Sequence, residues 1–219
     1  MEEQNRGRLF VISGPSGTGK GTICSELVRQ GEASLSVSMT TRAPREHEEE
    51  GRSYFFTDKA GFRDVVQAGG FFEHAEVYGE FYGTPKGPVL EHLTAGRDVI
   101  LEIDVNGAMQ VRESMPEAVL VFIMPPSRAE LKRRIESRGT ETPERIEKRL
   151  ERSEGEIASL GDYDYCVVND DLNLAVLNVT EIIHAERAGE TESVGRLKAP
   201  AAAEEIIRRY MEAGGKNVT

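Results

Sequence analysis

The chain of 219 residues is long enough for one α/β domain with a small inserted element, whereas two fully independent domains would be cramped. Its formal charge of −11 argues against sequence-independent binding of nucleic acid, although small anions can still bind where Lys and Arg cluster. Hydrophobic content of 38% without a long apolar run argues against a membrane span. The first residues are acidic and do not resemble a signal peptide, so we expect the protein in the cytoplasm.

The first elements predict a phosphate-binding loop. An apolar run at 8–13 predicts a buried strand and 22–29 a helix. Between them VISGPSGTGKGT nearly fits G-x-x-x-x-G-K-[ST], except that Gly21 stands where Ser or Thr is expected. In such a loop, backbone N–H groups, a helix N-terminus and Lys20 surround phosphate. Thr22 could supply a hydroxyl to magnesium one position later, or it could bond only to its own helix.

The following segment changes pattern. From Ser34 to Tyr82, short alternating runs predict a small β-rich region, in which the acid run Glu46 to Glu50 is a solvated loop. After it, helices and strands alternate again: helix 88–95, strand 99–104, helix 107–113, strand 118–123, strand 165–169 and helix 172–186. This alternation predicts an α/β fold with a doubly wound parallel sheet, whose ligands lie beyond the carboxyl ends of the strands.

Two further helices and a tail helix carry their own boundary signals. Ser127 and Glu130 form a capping box, with Gly139 as the helix end, and Pro143 begins a helix that runs to about residue 160. The tail predicts a linker containing Pro200 and a short helix at 201–213 that docks on the core or on a second subunit.

Several charged residues outside the loop are candidates for binding. Arg42 and Arg45, three apart, can converge on one dianion, although two arginines on a loop are usually only solvated. Glu73 follows an aromatic pair that could lie against a base or fill the core, and core filling is the favoured interpretation for Phe71. Glu102 and Asp104 alternate onto one face at the end of an apolar strand. The arginine-rich stretch 128–152 predicts a helix pair with i,i+4 salt bridges on its surface.

Six motifs in the same order along the chain resemble guanylate kinases: GPSGTGKGT, SVSMTTRAPR with a following tyrosine, FFEHAEVYGEFYGTP, LEIDVNG, ESRGTETPERIEKRL and VVNDD. The resemblance runs from about residue 9 to 187. It implies transfer of the terminal phosphoryl group of ATP to GMP, and by extension to dGMP, with Mg²⁺, in purine nucleotide metabolism. The GK-G-T variant is similar to loops of nucleoside monophosphate kinases. Gly21 is therefore typical of that class of phosphate loop and does not indicate a loss of function.

The resemblance also implies a domain organisation and a set of site residues. The family domain spans 1–187, with a core at 1–33 and 88–187, a GMP-binding region at 34–87 and a lid at about 127–160, followed by a linker and helical tail at 188–219. The residues implied in ATP binding are Gly14, Pro15, Ser16, Gly17, Thr18, Gly19, Lys20, Gly21, Thr22 and Asn169. Those implied in GMP binding are Ser38, Arg42, Arg45, Tyr54, Glu73, Tyr82, Thr84 and Glu102, the last where many relatives have Asp.

The implied catalytic residues are Lys20, Arg42, Arg138 and Arg149, whose charges stabilise the transferred phosphoryl group without a general base. Thr22 and Asp104 are candidate contacts of the metal, partly through water. Two alternatives stay open: a non-catalytic, protein-binding module of the same fold, and a kinase for AMP or UMP. The sequence leaves open whether the chain is a monomer or a homo-oligomer.

Overall fold

The computed structural model describes residues 6–137 and 142–212. The strands are β1 Leu9–Ser13, β2 Ser34–Leu35, β3 Met39–Thr40, β4 Phe55–Phe56, β5 Phe71–Val77, β6 Glu80–Pro85, β7 Val99–Glu102, β8 Val119–Met124 and β9 Tyr165–Val168. The helices are α1 Lys20–Arg29, α2 Lys59–Gln67, α3 Lys86–Thr94, α4 Val105–Ser114, α5 Arg128–Glu136, α6 Pro143–Ile157, α7 Leu172–Ala188 and α8 Ala199–Glu212. Two segments form 3-10 helix, Ala158–Asp162 and Thr191–Leu197.

The larger sheet has five strands in the order β2-β7-β1-β8-β9. The pairs β2–β7 and β8–β9 are parallel, with Val121 opposite Tyr165 in the second pair. Every residue of β1 and β8 is buried, which explains why these strands are continuous apolar runs without alternation. The predicted α/β fold with a doubly wound parallel sheet is therefore confirmed.

The smaller sheet has the strand order β4-β3-β6-β5, and β5 and β6 form an antiparallel pair. It confirms a β-rich region after β2, with two departures from the prediction. The first residues of that region, β2, belong to the larger sheet, where they pair with β7. Helix α2 was not predicted; its Phe62 stacks on Phe71 and Phe81, with ring centroids 4.5 and 5.5 Å away.

The chain divides into two compact units. The first holds the N-terminal segment up to Phe10 with Ala33–Leu101 and Asn106–Ala118, and it contains the smaller sheet. The second holds Val11–Glu32, Glu102–Val105 and the chain from Val119 onward, and it contains α1 and α5 to α8.

In the second unit, α5 and α6 pack through an apolar cluster of Leu131, Ile135, Ile146 and Leu150. Half of the predicted capping box is confirmed: the Ser127 side chain accepts from the backbone N–H of Glu130, whereas the Glu130 carboxylate accepts from Arg133 and Arg134. Helix α6 begins at Pro143 as predicted, and Thr142 caps it. The predicted helix end at Gly139 lies outside the described residues.

The C-terminal part of the second unit differs from the predicted linker and helix. Thr191–Leu197 is 3-10 helix, and α8 begins at Ala199, so Pro200 lies in its first turn, where a missing N–H costs no helical hydrogen bond. Helix α8 packs against Ala158–Asp162 and β9; Tyr210 is buried, whereas Met211 is 51% exposed. Within the described ranges, no helix combines the length and hydropathy that a membrane span requires.

Candidate functional site

The backbone of the phosphate loop, between β1 and α1, can be built only with glycine at certain positions. Gly14, Gly17 and Gly19 have φ angles of 130°, 94° and 91°, which L side chains rarely adopt. An added Cβ would lie 2.3 Å from the Ile123 carbonyl oxygen at Gly14, and 2.5 Å from Asn169 Nδ2 at Gly19. Neighbouring strand ends therefore fix the loop closely, as a phosphate cradle of backbone N–H groups requires.

Hydrogen bonds inside the second unit hold the loop in place. The Thr18 hydroxyl donates to the Pro15 carbonyl at 2.9 Å, and Asn169 Nδ2 donates to the Thr18 carbonyl at 2.8 Å. Asn169 is itself buried, and its backbone N–H donates to Met124 at the end of β8. The resemblance implied only that Asn169 takes part in ATP binding; in the structure its side chain anchors the loop.

Lys20, the first residue of α1, folds back over the loop. Its Nζ donates to the carbonyl oxygens of Gly14 and Pro15, at 2.6 and 3.0 Å. Burial lowers the pKa of Lys20, while the charges of Glu102 and Glu156 oppose that shift. The ammonium group is thus held among backbone oxygens and carboxylates, where an anionic phosphate group would be a further stabilising neighbour.

Gly21 lies close to Glu102 in the structure. An added Cβ at this position would lie 3.3 and 3.5 Å from the two carboxylate oxygens of Glu102, so Ser or Thr would require that exposed side chain to shift by a few tenths of an ångström. Although Glu102 is exposed, partial desolvation of its carboxylate raises its pKa, and the charge of Lys20 opposes this shift. Thr22 is exposed at the next position of the same helix.

Helix α6 directs two arginines into the second unit's site. Arg149 Nη2 donates to Ser16 Oγ in the loop at 2.6 Å. Arg152 contacts Asp104 Oδ2 at 3.4 Å and Glu156 Oε1 at 2.8 Å. Arg149 and Asp104 were predicted from the sequence, whereas Arg152 and Glu156 were missed. These two residues follow Arg149 by three and seven positions, a spacing that places all three on one face of a helix. Arg138 lies outside the described residues.

In the first unit, Arg42 forms a two-point ion pair with Glu48. Its Nη1 and Nη2 lie 2.6 and 2.7 Å from the two carboxylate oxygens, and its guanidinium carbon lies 4.9 Å from the Tyr54 ring centroid. Hydrogen bonds from Arg42, and then from the backbone of Arg45, lower the pKa of Glu48 to about 2. The prediction that the whole acid run 46–50 is solvated was therefore wrong at Glu48. Sequence periodicity does not reveal an ion pair between two residues of the same loop, such as Arg42 and Glu48.

The other predicted phosphate contacts surround this ion pair. The rings of Tyr54 and Tyr82 lie edge to face, with their centroids 6.2 Å apart. Hydrogen bonding to Glu48 is the largest cause of the raised pKa of Arg42, and hydrogen bonding to Tyr82 raises it further. The buried Nε of Arg42 has no hydrogen-bond partner among the residues that the structure describes. Arg45 is exposed, and Ser38 is half-buried on the segment that leads into β3.

Glu73 and Thr84 face each other on the paired strands β5 and β6. The Thr84 hydroxyl donates to Glu73 Oε1 at 2.7 Å, and both side chains are buried, Glu73 with 8% exposure. An irregularity in strand register between Phe71 and Glu73 accounts for three consecutive buried residues, because such a bulge re-aims side chains. As predicted, Phe71 belongs to the core.

Comparisons with known proteins agree with this arrangement. The sequence model of the family described as "Guanylate kinase" matches residues 6–186. A guanylate kinase of Clostridium tetani is 52% identical over 182 residues, covering 83% of this chain and 88% of that protein, and one of Thermus thermophilus is 50% identical, covering 83% of each. The crystal structure of guanylate kinase from Anaplasma phagocytophilum is similar with a TM-score of 0.66 and 35% identity, covering 84% of this chain and 87% of that one.

Proposed function

The chain belongs to the guanylate kinase family, and we propose on this premise that it transfers the γ-phosphoryl group of ATP to GMP, forming ADP and GDP. The observation that carries the choice of GMP is the buried Glu73 carboxylate beside Thr84. Guanine presents N1–H and the 2-amino group side by side, and one carboxylate can accept both. Adenine has neither donor, so binding adenine would forgo both of these hydrogen bonds to the buried carboxylate, which is costly.

ATP binds at the phosphate loop in this proposal. The residues that bind it are Gly14, Pro15, Ser16, Gly17, Thr18, Gly19, Lys20, Gly21, Thr22 and Asn169. The positive φ angles and the close approach of neighbouring backbone support a preformed loop, and Lys20 contributes its charge to the transferring phosphates. The phosphates would take the place that the loop's carbonyl oxygens now fill at the Lys20 ammonium group.

GMP binds in the first unit, and its phosphate meets Arg42, Arg45, Tyr54 and Tyr82, with Ser38 nearby. The ion pair with Glu48 supports this assignment, because it shows a guanidinium oriented for two-point contact with an anion's oxygens. The tyrosine hydroxyls donate without adding charge. Glu73 and Thr84 bind the base, and Glu102 is a further GMP contact carried over from the family.

Catalysis depends on positioning the two substrates and on neutralising the charge of the transferred phosphoryl group. An oxygen of the GMP phosphate attacks the γ-phosphorus of ATP, the bond to the β,γ-bridging oxygen breaks, and ADP leaves with the electron pair. The attacking oxygen is already anionic, so no general base is needed. Lys20, Arg42, Arg138 and Arg149 stabilise the charge that spreads over the transferred oxygens, and the contact of Arg149 with Ser16 supports its reach to the loop.

The donor set fits a magnesium ion that comes with the nucleotide. Asp104 offers carboxylate oxygens and Thr22 an exposed hydroxyl, which are hard ligands of the kind that Mg²⁺ prefers. The described residues contain no group of three or more potential ligands that could hold a metal alone, so phosphate oxygens and water would complete the site. When bound, Mg²⁺ neutralises charge on the β- and γ-phosphates.

We further propose the boundaries given by the resemblance: a family domain at 1–187, a GMP-binding region at 34–87, a lid at about 127–160 and a tail at 188–219. The net charge of −11 argues against binding to nucleic acid, and we propose a cytoplasmic protein that acts on small nucleotides and not at a membrane.

A coupled assay of ADP release over GMP, dGMP, AMP and UMP tests the proposed function. GMP should give the highest kcat/KM, with AMP lower by at least about 10²-fold, because adenine offers Glu73 neither of the two donors that guanine has. Faster turnover of AMP or UMP would identify a different monophosphate kinase. Absence of turnover with every monophosphate, in protein that still binds GMP, would favour the non-catalytic binding module.

A further inference from the structure

Strand β5, which carries Glu73, lies at an edge of the smaller sheet and is contacted there by side chains of α4. In the order β4-β3-β6-β5, only β6 pairs with β5 among the strands that the structure describes. The backbone N–H of His74 donates to Gln110 Oε1 at 3.1 Å, and Gln110 Nε2 donates to the His74 carbonyl at 3.3 Å. The side-chain amide of Gln110 therefore pairs with His74 as a residue of a further strand would, and it satisfies backbone groups at the edge of the sheet.

Helix α4 bonds to both of the peptide units that flank the Cα atom of Glu73. The N–H of His74 belongs to the planar unit that contains the Glu73 carbonyl, and the Phe72 carbonyl belongs to the unit that contains the Glu73 N–H. The Ser114 hydroxyl lies 3.3 Å from the Phe72 carbonyl oxygen, and it shares its proton with a carbonyl of its own helix, so the two bonds of Gln110 are the firmer hold. Because two adjacent peptide planes set φ and ψ of the residue between them, α4 helps to set the direction in which the Glu73 side chain leaves the strand.

Strand β6 approaches the same stretch of backbone through Gly83. This glycine lies opposite His74, and an added Cβ would lie 2.8 Å from the Glu73 carbonyl oxygen and 3.0 Å from His74 Cβ. Thr84, the next residue of β6, lies opposite Glu73 and donates to its Oε1 at 2.7 Å. The backbone at Glu73 is thus held between β6 and α4, at the irregularity in register that follows Phe71, where the ladder of the sheet is locally disrupted.

We propose that Gln110 is a positioning residue for base recognition: it holds the peptide unit between Glu73 and His74, and with it the orientation of the buried carboxylate that binds guanine. The inference rests on the proposed function, in which Glu73 accepts the two guanine donors. Without the Gln110 amide, water can bond to the exposed backbone groups of His74, so the sheet persists. The peptide unit then turns more freely, and the carboxylate leaves the narrow range of directions in which its hydrogen bonds to guanine are strong.

The test uses the full chain with Gln110→Met, which keeps a long, unbranched side chain but removes the amide donor and acceptor. Gln67→Met, the same substitution at an exposed position of α2 in the same unit, is the matched control and should leave every constant within about twofold of wild type. Gln110→Met should raise KM for GMP about tenfold, with kcat and the KM for ATP within about twofold. The kcat/KM for AMP should also stay within about twofold, because adenine offers the carboxylate neither donor, so the GMP-to-AMP ratio should fall about tenfold.

A second arm shows whether Gln110 acts through Glu73. In a Glu73→Gln background, Gln110→Met should lower kcat/KM for GMP by less than about twofold, because the carboxylate that Gln110 positions is already gone. The proposal is overturned if Gln110→Met keeps the GMP-to-AMP ratio within about threefold of wild type, as a general loss of structure would, or if the two losses multiply in the double variant. If Gln110→Met does not fold, Gln110→Ala is held to the same limits. A wild type that prefers another monophosphate would refute the proposed function instead.

Discussion

Replacing Glu73 by Gln is the sharpest test of how the base is chosen. The substitution preserves shape but turns one accepting oxygen into an NH₂ donor that would face a donor of guanine. In the structure the Thr84 hydroxyl donates to Oε1, and an ionised carboxylate offers about four acceptor positions in all, whereas the Gln amide offers acceptors on one oxygen only. Each charge-assisted hydrogen bond is worth roughly 1.5–3 kcal/mol, so kcat/KM for GMP should fall by about 10² to 10⁴-fold.

The assay compares kcat/KM for GMP and for AMP in wild type, Glu73→Gln and two controls. Glu76→Gln removes an exposed carboxylate from the same strand and should change neither value. Arg42→Ala should weaken GMP and AMP alike, because Arg42 is proposed to contact only the phosphate. The reasoning fails if Glu73→Gln leaves the GMP-to-AMP ratio within about threefold of wild type, an effect below about 0.7 kcal/mol.

Two further predictions concern the phosphate sites. Lys20→Ala should lower kcat by about 10³-fold or more, roughly 4 kcal/mol of transition-state stabilisation, whereas Thr22→Ala should cost far less; equal losses in steady-state assays would make Thr22 a direct metal ligand. For Glu48, the folded pKa of about 2 lies below the ordinary 4.5, so its ion pair stabilises the protein above pH 4.5 and is lost as pH falls towards 2. The Tm of Glu48→Gln should therefore lie below wild type near neutral pH and converge with it in acid; a constant Tm difference would contradict this sign.

Local signals in the sequence predicted much of the fold. The strand, glycine-rich loop and first helix are correct, although α1 begins at Lys20, two residues earlier than expected. The cap at Ser127, Pro at the start of α6 and the ion pair of Glu130 with Arg134, at 2.7 Å, are also confirmed. All of these depend on residues within four positions of each other, where spacing alone fixes geometry.

Most features that the sequence missed depend on tertiary neighbours. Helix α2 is an exception, because Asp58 caps it and Phe62, Val65 and Val66 follow helical spacing; the short alternating runs on either side of this nine-residue helix led to its interpretation as part of a β-rich region. Arg152 and Glu156 read as ordinary surface charges of α6, and only the packing of that helix brings them to Asp104 and Lys20. The burial of Tyr210 likewise depends on where α8 docks, which spacing within the helix does not specify.

The closeness of position 21 to Glu102 makes these two positions a single unit for protein engineering. Unlike Gly19, Gly21 has no backbone angle that demands glycine, and a side chain there would require the exposed Glu102 carboxylate to shift by a few tenths of an ångström. A library that varies positions 21 and 102 together, with the shorter Asp included at 102, samples conventional Ser- or Thr-containing loops both with and without this contact.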